Sequence, residues 1–268
     1  MKATRVIAAA VLALLYLAAF TAELAAPRGY AAQARDRVNY PPSAEFPLGA
    51  DALGRDMLAR ILHGTRISLL LAPAAAIVST ALAGLVGGVA GYAGGAAAAW
   101  AGRSVDAFLG VPWLLLLITV RAALPLDVEP FHSVTITFLL LGLLGWAAPA
   151  RVALAAAGRL RTQEFMLQAR ACGCSRLALL RAHFLPALRP VLIAQFWTAA
   201  PLYILAEANL GFLGLGVGEP LPSWGNLLRG LEQFHSVAAN PWLLLPLGLL
   251  LAAAASFHVL IPRENLHS

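Results

Sequence analysis

An all-α, polytopic membrane protein with six transmembrane helices is the fold class this sequence predicts, and three observations predict it. Of 268 residues, 60% are hydrophobic and 12% charged, with a mean hydropathy of +0.76, whereas a soluble domain carries about 25% charge. Apolar runs near the ~20 residues needed to span a bilayer recur along the chain. The remaining charge is gathered between those runs. Residues 151–189 hold Arg151, Arg159, Arg161, Arg170, Arg176, Arg181 and Arg189, seven of the 19 basic residues, against one acid, Glu164.

The elements follow in order. In residues 1–26, Lys2 and Arg5 precede an apolar run from Val6 to Ala22, with Glu23 near its far end. The run is long for a secretory signal and no clear small-x-small cleavage site precedes Pro27, so it reads as a first span with its N-terminus inside. Residues 27–66 are polar. The second span, Ile67–Tyr92, carries Gly84, Gly87, Gly88 and Gly91, with Gly95 beyond, a small-xxx-small pattern that lets helices approach closely in lipid. Arg103 and Asp106 flank a third span, Val105–Val120, which Pro112 should kink. An outer loop holds Arg121, Asp127 and Glu129, and a fourth span covers Ser133–Ala150. A fifth, Val191–Leu205, is followed by Glu207, Asn209 and a stretch whose glycines and prolines exclude a long helix. Such apolar, non-helical backbone is tolerated beside a span where protein buries it or where it lines a cavity. Asn240-Pro241-Trp242 opens the sixth span, Trp242–Leu260. Residues 67–262 form the transmembrane domain and 263–268 a short tail.

Two short helices fit within 151–189. Phe165, Met166, Ala169 and Cys172 share one helical face. Gly173 can take the left-handed conformation that ends a helix, and Ser175 can cap the next. There Leu177, Leu180 and Phe184 form a second stripe, and Pro186 closes the unit. With the N-terminus inside, six spans put this loop and both termini in the cytoplasm, as its arginines demand. The 27–66 stretch then lies outside with six arginines against Asp36, Glu45, Asp51 and Asp56, a departure from the rule that its length tempers.

Composition also excludes functions. Lys2 is the only lysine, so a phosphate loop, which needs a lysine after its glycines, is ruled out, and nucleotide-driven work must fall to another subunit. Cys172 and Cys174 supply two of the four ligands a closed metal site typically takes and read as small residues at a tight turn. His132, His235 and His258 are scattered. With no nucleophile or paired carboxylates, the chain is expected to be no enzyme and to hold no metal and no cofactor. Aromatics do not interleave with the arginines as a nucleic-acid platform would require.

Four blocks of sequence resemble the permease subunits of binding-protein-dependent ABC importers of the dipeptide, oligopeptide and nickel branch. FPLGADALGRDMLARILHGTRISLLLA, residues 46–72, is similar to the family's PLGTDxxGRDxLSRxxxGxRxSL, with Gly49, Asp51, Gly54, Arg55, Asp56, Arg60 and Arg66 among the matches; Asp56 and Arg60 stand at i, i+4 as an ion pair would. Gly145-Trp146 before Ala150-Arg151 resembles its GWxxxAR. Residues 164–186 resemble its cytoplasmic EAA loop: Ala169, Gly173, Leu185 and Pro186 match, while Leu167 replaces the motif glutamate, Gln168 its first alanine, and His183 an apolar position. GFLGLGVGEPLPSWGNLL resembles its LSFLGLGVxPPxPSWGxML, matching at Phe212, Gly214, Gly216, Pro222, Trp224 and Gly225 among others. The sequence ends at IPRENLHS, where the family usually continues with a GDxLRDxLDP tail.

The resemblance implies a transmembrane subunit that moves peptides or a related solute, nickel chelates and opines included, across a bacterial inner membrane by alternating access. It implies a second homologous permease, two cytoplasmic ATPase subunits, an extracytoplasmic substrate-binding protein and surrounding membrane lipid as partners. It places ATPase coupling at Glu164, Ala169, Arg170, Gly173, Ser175, His183, Leu185 and Pro186, and makes the 212–225 segment an extracytoplasmic scoop. Three other readings stay open. A secondary transporter would carry ionisable residues within its spans, which the expected spans almost lack. A membrane-embedded enzyme would need converging catalytic groups. A degenerate permease could scaffold without transporting.

Overall fold

The computed structural model describes residues 2–26, 28–125, 128–232, 237 and 240–262; the expectations placed on Pro27, Asp127, His235 and the 263–268 tail lie outside them. Most of the described residues are helical. They form α1 (Lys2–Phe20), α2 (Ala22–Ala25), α3 (Met57–Ala93), α4 (Gly95–Leu109), α5 (Trp113–Ala123), α6 (Pro130–Leu144), α7 (Ala147–Arg161), α8 (Glu164–Ala171), α9 (Arg176–Phe212), α10 (Trp224–Leu228) and α11 (Pro241–Leu260). Among them β structure is limited to two isolated bridges, Gln33 with Arg55 and Ala50 with Asp56. Five helical stretches are long and apolar enough to cross a membrane, or six if the bent pair α4–α5 is one span.

The span ends differ from expectation for local reasons. The short amphipathic helix that residues 57–62 can start is continuous with the span expected from Ile67: α3 begins at Met57, where the Asp56 carboxylate accepts from the Leu58 amide (2.9 Å) and caps it. The third span is not a kinked helix but two helices bent by 73°. Pro112, with no N–H to give, stands as the cap of α5. α5 runs past Val120, so Arg121 is a buried helical residue, not a loop charge. α9 is 37 residues long and takes in both the second cytoplasmic helix and Glu207. Pro186 therefore does not close the helix. A π turn at Leu179–Phe184 widens the ladder just before it, making room for a ring that would otherwise meet the carbonyl four residues back.

α9 packs along α3; α6 lies on α3, α1 on α11, and α7 on the end of α3. Leu69, Leu141, Ala200, Tyr203, Trp224 and Phe257 are among the residues of the main core. The small-xxx-small glycines act as their spacing predicts, on two sides. Gly84 and Gly88 face Leu192 and Leu188 of α9, while Gly87 and Gly91 face Ala150, Leu154 and Ala157 of α7. A second π turn, Gly84–Gly88, falls at this crossing.

A Cβ at Gly91 would sit 2.7 Å from the Leu154 carbonyl oxygen. Gly91→Val is thus expected to destabilise the purified chain by more than ~2 kcal/mol, the cost of overpacking a filled interface. Gly158→Ala, whose added Cβ meets nothing within 4 Å, should hold or slightly raise stability. Melting curves in detergent followed by tryptophan fluorescence compare the two.

Candidate functional site

The candidate residues gather at both ends of α3. At the Met57 end, the loop before the helix is built by Asp51. Its Oδ1 accepts from the Leu53 and Arg55 amides at 2.8 and 2.9 Å, and its Oδ2 from Arg55 Nε at 2.7 Å, an Asx turn. Gly54 completes the turn with φ of +70°, a conformation that favours glycine, with the Ala34 carbonyl packed where a Cβ would stand. The expected Asp56–Arg60 pair does not form. Asp56 is committed to its cap, and Arg60 turns to Glu219 (Nη2–Oε1 3.0 Å) and Asp51 (Nε–Oδ2 3.5 Å). Arg55 joins through Nη1 to Glu219 Oε2 at 2.6 Å. Two arginines and two carboxylates thereby tie the 46–60 segment to the corner before Pro220. A cleft of about 450 Å³ lies beside them, lined also by Asn226, Arg229 and Asn240. Gly49 is buried under Trp242, and Arg66 pairs at the surface with Glu23 (2.7 Å).

The charges around this loop feel distinct surroundings. The Arg66 guanidinium holds the Glu23 carboxyl below the usual carboxylate range, and Arg28 does the same for Glu45. Burial pushes Asp56 above that range, against the pull of its amide bonds.

The 212–225 segment folds back over the end of α9. Gly214 turns the chain with φ of +76°, while Phe212 is left exposed. Backbone meets backbone where Gly216 and Gly225 pack on Gly211. Pro222 to Leu228 are all buried. Beneath them, Glu207 of α9 is fully buried (0% exposed). Ser223 Oγ donates to its Oε1 (2.6 Å) and Ser68 Oγ to its Oε2 (3.3 Å). Ser68 Oγ also accepts from the Trp224 amide (3.1 Å), and Trp224 Nε1 donates to Thr65 Oγ1 (3.0 Å). Ser223 and Asn226 cap α10 reciprocally. Alongside, Arg121 donates to Ser133 Oγ (3.1 Å), which donates to the Gly216 carbonyl (3.2 Å).

At the Ala93 end of α3 lies the 164–186 unit. Met166, Leu179, Phe184 and Leu188 are buried together with Ala157, and Tyr92 tilts onto Phe184 with ring centroids 4.7 Å apart. The π turn places Leu179 and Phe184, five apart, on one side; hence Leu177 is exposed, where regular spacing would make it part of the stripe. Phe165 and Cys172 are likewise exposed, leaving Met166 and half-buried Ala169 as the docked face of α8. Gly173 has φ of +78°, and Ser175 Oγ accepts from the Ala178 amide (3.3 Å). Residues 170–178 are exposed without interruption, with Cys172 and Cys174 as free thiols. Glu164, Leu185 and Pro186 are exposed and His183 half-buried.

The structure thus brings Asp51, Arg55 and Arg60 together with Glu219, and Trp224 and Gly225 together with Glu207; Arg66 and Phe212 stay apart from both groups. Thr65, Glu219 and Asn226 escape the sequence reading; Glu207, Ser68 and Ser223 lie in stretches it names, but their mutual bonds do not show there. A lone acid in an apolar stretch was the signal for Glu207, and the Ser-x-x-Asn spacing for the cap.

Long apolar helices joined to an organised loop cluster at one end and an exposed helix-turn-helix at the other define a polytopic, all-α membrane protein. The chain belongs to the family of binding-protein-dependent transport system inner membrane components, whose model matches residues 83–261. It is 34% identical over 222 residues to a putative peptide permease protein of Brucella ovis, covering 82% of this chain and 72% of that one. It is 28% identical to the dipeptide transport system permease protein of Bacillus subtilis (87% and 70%). It is 32% identical to the oligopeptide transport system permease protein of Mycobacterium tuberculosis (88% and 79%). The chain is accordingly a multi-pass permease component of an ABC importer in the inner membrane.

Two outcomes test this geometry. Trp224→Phe, which removes the donor to Thr65 Oγ1 and leaves that hydroxyl bonded to the Ile61 carbonyl (2.8 Å), should cost about 1 kcal/mol, and Trp224→Ala about 3–5 kcal/mol, read from denaturant melts. For Asp56, the native chain holds the proton more tightly than the unfolded chain. Its contribution therefore favours the fold below the ordinary carboxylate range and declines as pH rises through it. Asp56→Asn keeps a cap and should flatten that part of a stability profile taken from pH 4 to 7.

Proposed function

We propose that this chain is the permease subunit of an ATP-driven importer of peptides, working by alternating access. It pairs with a second homologous permease, receives cargo from an extracytoplasmic binding protein and couples to two cytoplasmic ATPases through residues 164–186. The peptide cargo rests on the names of the relatives; nickel chelates and opines are the other cargoes of the resembling branch. The observation that carries the coupling assignment is continuity. α9 starts at the Ser175 cap, beside the exposed 170–178 turn, and ends under the Glu207 knot. A push on the turn therefore acts on one rod. Glu164, Arg170, Ser175 and half-buried His183 supply the contacts, while Ala169, Gly173 and Pro186, with Leu185 beside it, shape the face.

In this reading both termini and the 151–189 loop face the cytoplasm. The bond from Arg5 Nη2 to the Ile261 carbonyl (2.9 Å) supports a shared side for the two ends, and the arginine surplus supports which side. Glu207 and Arg121 are, among the described residues, buried charged groups within the spans, the kind a secondary transporter would use; Arg121 is bonded to Ser133. Both oxygens of Glu207 are taken by serine hydroxyls, which favours a structural part.

Gly173→Pro is the decisive variant, since proline fixes φ near −65° where the native turn has +78°. From membranes of the source bacterium, the wild-type chain is expected to co-purify an ATPase and a second permease. The variant should keep the permease and lose the ATPase at least about tenfold, a difference of ~1.4 kcal/mol or more. A wild-type chain that brings no ATPase under conditions preserving membrane complexes would refute the coupling assignment.

A further inference from the structure

The Arg55–Arg60 pair holds its two carboxylates unequally. Asp51 is fixed by two backbone amides and by Arg55 Nε. Glu219 is bonded, among the described residues, only by the two guanidiniums. Its side chain is 48% exposed, against 9% for Arg55 and 2% for Arg60, and it stands on an exposed corner at Glu219 and Pro220. The arginines cannot be left bare, because a buried charge without a partner is strongly unfavourable. Of the two carboxylates, Glu219 is the one that water and solutes reach, and no backbone amide among the described residues holds it. Glu219 can thus leave readily when another carboxylate replaces it, and the exchange is neutral in charge. The adjoining cleft of about 450 Å³ falls in the size range of small-ligand sites, and the guanidinium fork suits a carboxylate held by both oxygens.

We infer that Arg55 and Arg60 form a carboxylate-exchange site. A free carboxylate entering the cleft takes the place of Glu219 on the two guanidiniums and unties the 217–221 corner from the 46–60 segment. Two sources share this chemistry: the C-terminal carboxylate of a small peptide, and an acidic side chain on a docking protein. The inference rests on this cluster alone and not on the coupling of residues 164–186 to an ATPase, so either can fail without the other.

The test uses the full chain in detergent at fixed ionic strength, with Glu219→Ala and the isosteric Glu219→Gln beside it. Sodium acetate is expected to raise the melting temperature of both variants and leave the wild type unmoved, while acetamide and sodium chloride raise neither. Trialanine, calorimetrically titrated, should bind the wild type and bind Glu219→Ala roughly tenfold more tightly, about 1.4 kcal/mol. Trialaninamide should bind neither. N-acetyl-aspartate N-methylamide, carrying only a side-chain carboxylate, separates the sources: preference for it points to a protein side chain, preference for trialanine to a peptide terminus. Equal response of the variants to acetate and chloride overturns the site, as does equal wild-type binding of trialanine and its amide; Glu219 would then be a fixed structural tie.

Discussion

A carboxylate without access to water sets the arrangement at one end of this permease. Glu207 projects from α9 among apolar helices, where an unpaired polar group is expensive. Its oxygens are met by Ser68 on α3 and Ser223 at the head of α10. Each serine has a second duty: Ser68 receives the Trp224 amide and Ser223 that of Asn226. Losing the acid would leave both hydroxyls and the two loop amides poorly placed. The glycines follow from the same demand, for Gly225 can reach the Glu207 backbone, and Gly216 can reach Gly211, only without side chains. A polar requirement and a steric one thus fix the same loop.

The distance between the two candidate sites is bridged by helices rather than by loops. α3 and α9 each hold 37 residues, about 55 Å at 1.5 Å per residue. Each begins or ends in a polar assembly. α3 starts in the Asp51–Arg55–Arg60 cluster and finishes with Tyr92 on Phe184. α9 starts at a serine cap and finishes beneath a tryptophan. They pack closely where Gly84 and Gly88 admit Leu192 and Leu188.

What the sequence discloses depends on how local the cause is. Gly173 and Ser175 were readable because a left-handed turn and a helix cap are decided by a few neighbouring residues. The glycines of α3 were readable from their spacing, and Trp224 and Gly225 from the pattern around them. Span ends were less so: Asp56 as a cap competes with Asp56 as an ion-pair partner, and the cap prevailed. The partners of Arg60 and Glu207 lie 159 and 139 residues away in the chain, Glu219 and Ser68, and no periodicity carries that information. The π turn was invisible for another reason, since regular helical spacing put Leu177 inward and Leu179 nowhere in particular.

That π turn at Leu179–Phe184 has a consequence for how the chain tolerates change. In a continuous α-helix one residue more or less rotates everything beyond it by about 100°. Anything that altered the length of α9 in its middle would swing Glu207 away from its serines relative to the exposed turn. A π turn carries an extra residue within the ladder and so acts as a phase adjuster between the two ends. A deletion inside residues 179–184 can be absorbed by reverting that turn to regular helix, whereas the same deletion between Val191 and Glu207 has no slack to consume.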